Sequence, residues 1–265
     1  MISIIGLGFV GSAILYSFEK KNIKNLYVYD KYKKLGNLEE CLKSDVIFLA
    51  LPTPYDDKLK EFNKKEIENI CNYLNENNYN KLVIIKSTVE PETTDYLSNK
   101  YKNLNFIHNP EFLSAKTAKN DFHNQTHIVL GKSKNCDINL YNNLINFYKE
   151  HYPIAQISEC SSVESESMKL FCNSYYSVKI QFFNELYLLC NKNNTNFEKI
   201  KQMMFKNKWI NTMHTEVPGQ DGKLSYGGAC FPKDTNALNM YMKKYNVLNN
   251  VLNATIIERN ILREK

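Results

Sequence analysis

The sequence predicts an α/β fold: a doubly wound, mainly parallel sheet followed by an all-helical domain. In the first half, short apolar runs alternate with amphipathic stretches at intervals of about 25 residues, a pattern typical of parallel strands joined by helices. A glycine-rich turn follows the first apolar run directly. Beyond residue 161 the strand patterns end, and a stretch of about 30 residues without Pro or Gly predicts a long helix.

The elements are assigned from the period of the apolar residues and from the turn residues that end each run. Strands are predicted at Ile2–Ile5, Leu26–Tyr29, Val46–Leu51, Leu82–Lys86, Asn105–His108, Ile128–Leu130 and Ile154–Ile157. Helices are predicted at Val10–Lys21, Leu38–Lys43, Lys64–Asn77, Thr93–Tyr101, Leu140–His151, Ser162–Asn191, Phe197–Lys206, Thr235–Tyr245 and Leu248–Lys265. We therefore expect a first domain over residues 1–160 and a helical domain over residues 161–265.

Composition excludes several classes of protein. Of 265 residues, 43% are hydrophobic and 23% are charged, which excludes a disordered chain, and a net charge of +6 does not by itself indicate nucleic-acid binding. The seven cysteines form no C-x-x-C pair and no cluster at zinc spacing, so we expect neither a disulfide framework nor a metal site. The uncharged segment 2–18 is interrupted by glycines and lacks a preceding basic region. We expect a cytoplasmic protein without membrane or nucleic-acid partners.

The segment from Gly6 to Gly11 has the spacing G-x-G-x-x-G between a predicted strand and a predicted helix. In a dinucleotide-binding turn, Gly6 would permit the tight bend, Gly8 would let a pyrophosphate approach the backbone, and Gly11 would let helix and strand pack closely. Asp30 closes the next strand, where a carboxylate accepts a hydrogen bond from a ribose hydroxyl and repels a 2′-phosphate. The pattern favours NAD, with FAD, a nucleotide sugar or no ligand as the alternatives.

The segment from Gly227 to Asp234, G-G-A-C-F-P-K-D, is the most informative for chemistry. Two glycines can bring the backbone close to a ligand, and Pro232 suits the first turn of a helix. Cys230 is therefore expected just before a helix N-terminus, where the helix dipole and Lys233 lower the pKa of a thiol. An isolated cysteine is usually a buried structural thiol, but this context indicates a nucleophile.

This segment resembles the active-site motif of the UDP-glucose/GDP-mannose dehydrogenases. Further blocks resemble the family in the same order along the chain: L-P-T-P at residues 51–54, K-S-T-V at 86–89, N-P-E-F-L at 109–113, and the helix from Glu166 to Glu185 with Lys169, Asn173 and Asn184. The resemblance covers the whole chain and implies a Rossmann domain for NAD, a helical central domain that forms a homodimer, and a sugar-nucleotide substrate.

The resemblance also implies a mechanism and a set of site residues. A C6 alcohol is oxidised in two hydride transfers to a carboxylate, through a thiohemiacetal and a thioester on Cys230. The implied catalytic residues are Cys230, Lys169, Asn173, Asp234, Glu111 and Thr88. The implied NAD contacts are Gly6, Gly8, Phe9, Val10, Gly11, Asp30, Lys34, Thr53, Thr88 and Lys233. The implied substrate contacts are Glu111, Phe112, Leu113, Lys169, Asn173 and Gly227.

The chain departs from the family pattern at two points. Family members usually carry a second acidic residue at the position of Ala115, and they continue into a further domain that binds the nucleotide, so reduced turnover and weakened substrate affinity are expected. UDP-glucose is the leading substrate, followed by GDP-mannose and then by UDP-N-acetylhexosamines. A non-catalytic protein that binds NAD or a sugar nucleotide is the alternative outside enzymes.

Overall fold

The computed structural model describes residues 1–263, which divide into two compact units. The first unit comprises Met1–Pro54 and Phe62–Lys169, and the second comprises Tyr55–Glu61 and the chain from Leu170 onward. This division falls within one continuous helix, because the first two turns of that helix belong to the first unit. The last two residues of the helix predicted to reach Lys265 lie outside the described residues.

The strands of the described chain are β1 (Ile2–Ile5), β2 (Leu26–Tyr29), β3 (Val46–Leu49), β4 (Tyr55–Asp56), β5 (Glu61–Phe62), β6 (Leu82–Ile85), β7 (Asn105–His108), β8 (His127–Lys132) and β9 (Gln156–Ser161). The first unit is built on a seven-stranded sheet with the order β2-β1-β3-β6-β7-β8-β9. The five neighbouring strands from β2 to β7 in this order pair in parallel, and β8 also pairs in parallel with β9. The predicted doubly wound, mainly parallel sheet is confirmed.

The helices are α1 (Phe9–Lys20), α2 (Leu38–Cys41), α3 (Lys65–Glu76), α4 (Thr93–Lys100), α5 (Ala118–His123), α6 (Ile138–His151), α7 (Ser162–Lys192), α8 (Phe197–Phe205), α9 (Phe231–Lys244) and α10 (Asn250–Arg263). In the first unit they cover both faces of the sheet. Ile4, Phe48 and Ile84 pack in one apolar cluster with residues of α1, α5 and α6. Their chain neighbours Ile5 and Leu49 face the other cluster, with α3 and α4, because successive strand residues point to opposite faces.

Several predicted elements differ from the observed ones. β7 and β8 pair antiparallel, so parallel pairing is wrong for this pair; an apolar run carries no information about strand direction. The last strand begins at Gln156 instead of Ile154, and α5, β4 and β5 were not predicted. Helix α9 begins at Phe231 instead of Thr235, since a proline in the first turn needs no hydrogen-bond acceptor for its nitrogen.

The second unit consists mainly of helices. Phe183, Cys190 and Phe197 form a small buried cluster between the end of α7 and α8. Side chains of α7 at Phe171, Tyr175, Phe182 and Leu189 are each more than half exposed. Within residues 1–263, no helix combines the length and the apolar character needed to span a bilayer.

Candidate active site

The glycine turn lies at the carboxyl end of β1 and opens α1. Gly6 has a φ of +89°, and a Cβ there would lie 2.5 Å from the carbonyl oxygen of Ala50, directly after the neighbouring strand β3. A Cβ on Gly11 would lie 1.8 Å from the carbonyl oxygen of Gly6. Around Gly8, by contrast, no atom lies within 4 Å of the Cβ position. Two glycines are thus required by the protein's own backbone, while the third leaves open space beside the first turn of α1.

Asp30 is buried beside this turn and is held by backbone amides. Its Oδ2 accepts a hydrogen bond from the N–H of Leu7 at 2.7 Å, and its Oδ1 accepts from the N–H groups of Tyr32 and Lys33 at 3.0 and 2.9 Å. Burial alone would raise the pKa of Asp30, but these amides and the charge of Lys33 outweigh it and lower the pKa below its ordinary value. The carboxylate therefore stays ionised next to the turn.

A cavity of about 660 Å³ adjoins the glycine turn. Its lining includes Gly8, Phe9 and Lys33 on one side and the segment 115–120 on the other. Lys33 donates through Nζ to the carbonyl oxygen of Leu7 at 2.6 Å, so Lys33 is the lysine that the structure places at this turn. Lys34, the lysine that the resemblance nominates, is exposed and has a φ of +52°. Phe9 is 69% exposed, and Val10 is partly buried.

The loops after β3 and β6 are tied together by two side chains. Thr53 donates through Oγ1 to the carbonyl oxygen of Thr88 at 2.7 Å. Ser87 accepts from the N–H of Leu51 and donates to the carbonyl oxygen of the same residue, at 3.0 and 2.7 Å. Because both strands are parallel neighbours, their carboxyl ends meet at one edge of the sheet. Thr53 and Thr88 are thereby brought together at the edge where the glycine turn also lies.

The segment Asn109–Leu113 follows β7 at the same edge and is fixed by the buried Lys86. The Nζ of Lys86 donates to Asn109 Oδ1 at 2.9 Å and to the carbonyl oxygen of Pro110 at 3.4 Å. Tyr148 also donates to Asn109 Oδ1, at 2.6 Å. Burial lowers the pKa of Lys86 to about 7; the charge of Glu111 raises it, and that of Lys169 lowers it further.

Glu111 and Lys169 form a partly buried ion pair in the first unit. The Nζ of Lys169 lies 3.3 Å from Glu111 Oε1 and also donates to the carbonyl oxygen of Glu111. The second carboxylate oxygen of Glu111 accepts from the N–H of Leu113 at 2.6 Å. The ammonium group of Lys169 lies 5.1 Å from the ring centre of Phe112, at cation–π distance. Four of the predicted site residues therefore form one cluster, with a carboxylate and an ammonium group at its centre.

The second unit contains the predicted nucleophile. Cys230 is exposed and immediately precedes α9, as the sequence predicts. Asp234, one turn into the helix, is completely buried, and its N–H donates to the carbonyl oxygen of Cys230 at 3.0 Å. Its Oδ2 accepts from Asn173 Nδ2 at 2.6 Å, and its Oδ1 accepts from Lys233 Nζ at the same distance. The carboxylate is thus fixed by an amide and an ammonium group one turn from the thiol.

Comparison with known proteins identifies the family. Residues 26–151 match the NAD binding domain of the UDP-glucose/GDP-mannose dehydrogenase family, and residues 163–260 match its central domain. The chain is 28% identical, over its whole length, to 72% of a UDP-glucose 6-dehydrogenase from Campylobacter jejuni. It is 30% identical, over 85% of its length, to half of a UDP-glucose 6-dehydrogenase from Rickettsia felis. The chain belongs to the UDP-glucose/GDP-mannose dehydrogenase family.

A solved structure agrees with this assignment at the level of the fold. The structure of a UDP-glucose dehydrogenase from Pyrobaculum islandicum matches with a TM-score of 0.83 and 22% identity, covering 98% of this chain and 67% of that one. The predicted Rossmann fold and the resemblance stated from the motifs are both confirmed. As a member of this family of NAD-dependent dehydrogenases, the protein has NAD as its cofactor.

The residues of this family member suit a dinucleotide at the glycine turn. Gly8 leaves room for a phosphate beside the first amides of α1, and helix N-termini favour anions. Asp30 presents an ionised carboxylate at the end of β2, and the cavity beside the turn is lined by three lysines, Lys33, Lys116 and Lys119. These features fit the pyrophosphate and ribose groups of NAD.

Two groups with clear structural roles were not assigned from the sequence. Lys86 is the only charged residue in an otherwise apolar predicted strand, which could have marked it as a buried amine. Glu166 is fully buried and accepts from the N–H and the hydroxyl of Thr94, at 2.7 and 2.5 Å, at the first turn of α4. Burial raises the pKa of Glu166 to about 8, against the lowering effect of Thr94. No local sequence pattern indicates this contact, since 72 residues separate the partners.

Proposed function

We propose that the protein catalyses the NAD-dependent four-electron oxidation of a sugar-nucleotide C6 alcohol to the carboxylate, with Cys230 as the nucleophile. The observation that carries this proposal is the arrangement at α9. An exposed thiol precedes the helix N-terminus, and a buried carboxylate held by Asn173 lies one turn away. An accessible cysteine at a helix N-terminus can act as a nucleophile, and its thiolate attacks an aldehyde carbon.

Bound NAD supplies the hydride acceptor for both oxidations, so two molecules are reduced for each sugar. In the first oxidation the C6 alcohol loses a proton and a hydride to become an aldehyde. The Cys230 thiolate then forms a carbon–sulfur bond with C6, and the resulting alkoxide takes up a proton to give a thiohemiacetal. Loss of a second proton and hydride gives a thioester. Water attacks C6 and the carbon–sulfur bond breaks, so that the carboxylate product and one proton are released and the Cys230 thiol is regenerated.

The other predicted residues have distinct proposed roles in this sequence. Lys169 and Asn173 stabilise negative charge on the C6 oxygen. Asp234, Glu111 and Thr88 position and deprotonate water or the alcohol. Lys34, Thr53, Thr88 and Lys233 contact NAD together with the glycine turn. Phe112, Leu113 and Gly227 contact the sugar nucleotide, in addition to the residues at its C6 atom.

UDP-glucose is the proposed substrate, and GDP-mannose is the alternative within the family. The named relatives from Campylobacter jejuni and Rickettsia felis are both UDP-glucose 6-dehydrogenases. The F-P-K-D sequence after Cys230 supports the same choice over UDP-N-acetylhexosamines. The seven scattered cysteines form no disulfide framework, which favours a reducing compartment, so we propose that the protein acts in the cytoplasm.

The test is the stoichiometry of NADH formation with UDP-glucose and with GDP-mannose. We expect two NADH for each UDP-glucose consumed, and loss of at least about 10³-fold in turnover for Cys230→Ser, since removing a nucleophile has effects of that order. Cys160→Ser changes a half-buried cysteine of the first unit and serves as the matched control. Binding of NAD with no turnover of any sugar nucleotide would instead support a non-catalytic binding protein.

We also propose a homodimer formed through α7. Phe171, Tyr175, Phe182 and Leu189 are spaced by four, seven and seven residues, so they follow one face of the helix, and each is more than half exposed. Contiguous exposed apolar faces of this kind mark interaction sites. Analytical ultracentrifugation should give a dimer for the native chain and a monomer for Phe182→Glu. A monomeric native chain would contradict the proposal.

A further inference from the structure

Ser225 lies in the loop between α8 and α9, five residues before Cys230, and its backbone is in the left-handed region. Its φ is +59°, which side chains other than glycine, asparagine and aspartate rarely adopt, and the residue is 3% exposed. A conformation of this kind persists only when surrounding contacts impose it. The contacts around Ser225 therefore determine how the chain approaches Cys230.

Every polar group of Ser225 is engaged by a side chain from α7 or α10. Its N–H donates to Asn184 Oδ1 at 2.8 Å, and its hydroxyl donates to Gln181 Oε1 at 2.5 Å. Its carbonyl oxygen accepts from Arg263 Nη2 at 2.6 Å. Gln181 in turn donates to Glu258 Oε2 at 2.9 Å, which links α7 to α10. The loop is thus held from two helices by hydrogen bonds to one residue.

Arg263 holds the loop at two further points. Its Nη1 forms an ion pair with Asp221 Oδ2 at 2.6 Å, four residues before Ser225. On the other side, a Cβ added at Gly227 would lie 2.7 Å from Arg263 Nη2 and 2.9 Å from Arg263 Cζ. The guanidinium group therefore lies directly against the backbone of Gly227. Its planar fork can make both hydrogen bonds and this flat contact together, which a lysine ammonium group cannot do.

Gly228 follows Gly227 directly on the path to α9. Gly228 has a φ of +76°, and no atom lies within 4 Å of its Cβ position. After Cys230, the ring of Phe231 packs with Tyr176 and His214, at centre distances of 6.3 and 5.5 Å. The start of α9 thus follows Cys230 directly, and the contact of Arg263 with Gly227 lies three residues before it.

We propose that Arg263 is a positioning residue for Cys230. By binding the carbonyl oxygen of Ser225 and packing on Gly227, it fixes the path of the backbone into Cys230, and hence the place and the environment of the thiol. The inference rests on the proposed function, because the thiol is taken to be the nucleophile. Arg263 touches neither the thiol nor a reacting atom; it acts through the loop.

The test compares Arg263→Lys with the native chain by the pH dependence of Cys230 alkylation. Iodoacetamide labelling is quantified by mass spectrometry of the peptide that contains Cys230, so the six other cysteines do not contribute. We expect Arg263→Lys to change the labelling rate at neutral pH at least threefold, to shift the pH midpoint, and to lower kcat for NADH formation at least tenfold. The KM for NAD should stay unchanged, because the glycine turn is not altered.

Two control variants show whether the effect of Arg263→Lys comes from the position of the loop, from a general change in α10 or from loss of the ion pair. Ile261→Ala alters an exposed residue of α10 and should leave the labelling profile and turnover as in the native chain. Asp221→Asn removes the charge of the ion pair but leaves the contacts of Arg263 with Ser225 and Gly227, so its effect should be smaller than that of Arg263→Lys. Equal effects of Asp221→Asn and Arg263→Lys would contradict the proposal, as would a folded Arg263→Lys with a native labelling profile.

If Arg263→Lys does not fold, Gly227→Ala tests the same contact from the loop. Its methyl group must displace the guanidinium group, so we expect the same change in labelling profile, and a native profile would overturn the proposal. The labelling measurement is also independent of the test of the proposed function. If the native chain oxidises no sugar nucleotide, the proposed function fails, whereas the change in Cys230 labelling still decides whether Arg263 positions the thiol.

Discussion

The glycines in the two units are constrained by different kinds of neighbour. In the first unit, a Cβ added at Gly6 or Gly11 would meet backbone atoms of Ala50, directly after β3, or of Gly6 in the turn. In the second unit, Gly227 lies against the end of an arginine side chain. A backbone neighbour cannot move without breaking the sheet, whereas a guanidinium group can rotate away. The cofactor turn is therefore rigid by topology, and the segment before Cys230 depends on side chains of α7 and α10.

The difference is also visible in how each unit holds its carboxylates. Asp30 is bound by three backbone amides, two of them from its own turn. Asp234 is bound by the side chains of Asn173 and Lys233. Every residue except proline supplies a backbone donor, whereas a side-chain donor requires a particular residue at its position. Substitutions should consequently affect the two units in different ways.

The largest expected effect is on the stability of the glycine turn. Gly11→Ala places a methyl group 1.8 Å from a carbonyl oxygen, and we expect a loss of about 3 kcal/mol or more in the free energy of unfolding, at the upper end of overpacking effects. Gly227→Ala should cost less, because its methyl group meets the end of one side chain, that of Arg263, rather than backbone. Thermal denaturation of both variants measures the contrast. Equal losses would show that Arg263 is held as firmly as the sheet.

The second effect concerns Glu166, whose pKa is raised from 4.5 to about 8 by burial. A raised carboxyl pKa means that the folded protein keeps a proton that the unfolded chain releases, so stability is lost as pH rises from about 4.5 to about 8. Glu166→Gln should remove this loss, on the order of 2 kcal/mol after structural relaxation. Thermal midpoints at about pH 5 and about pH 8 measure it. An unchanged pH dependence in the variant would contradict the assignment to Glu166.

The smallest effect is expected at Glu185, where a hydrogen bond with Glu258, burial and the charge of Glu258 raise the pKa to about 7. Because this pKa is also raised in the folded protein, stability is lost as pH rises from about 4.5 to about 7. Glu185 is exposed, so water and salt screen the interaction, and Glu185→Gln should recover less than about 1 kcal/mol. The midpoint of Glu185→Gln should exceed that of the native chain only at neutral and higher pH. A gain at pH below 4.5 would have another cause.

Much of the first unit could be predicted from sequence. The five strands that pair in parallel from β2 to β7 begin at their predicted residues, because each is a short apolar run closed by a turn residue. The direction of β8 could not be predicted, since its apolar run reads the same either way. The glycine spacing indicated the turn, and the structure gives Gly6 and Gly11 steric reasons to lack a Cβ. Lys33 was not selected over Lys34, because only the folded loop after β2 shows which lysine reaches Leu7.

Less of the candidate site in the second unit could be predicted. The position of Cys230 before a helix followed from Pro232 and from the family motif, although α9 begins four residues earlier than the apolar period indicates. Arg263 was not singled out, because it is 38 residues from Ser225 and carries no local signal. The sequence predicts that Gly227 brings the backbone close to a ligand. In the structure, the group that lies close to Gly227 is the side chain of Arg263.

The sequence alone determined the fold class, the family and the dinucleotide turn, and it singled out Cys230 as the candidate nucleophile, because periodicity, turn sterics and short motifs act over neighbouring residues. The tertiary structure decided which polar groups hold these elements in place. The ion pair of Glu111 with Lys169, the Asn173 contact with Asp234 and the Arg263 contacts with the loop each join residues more than 35 positions apart. Contacts over such distances form only when helices and strands pack, so no local pattern can specify them.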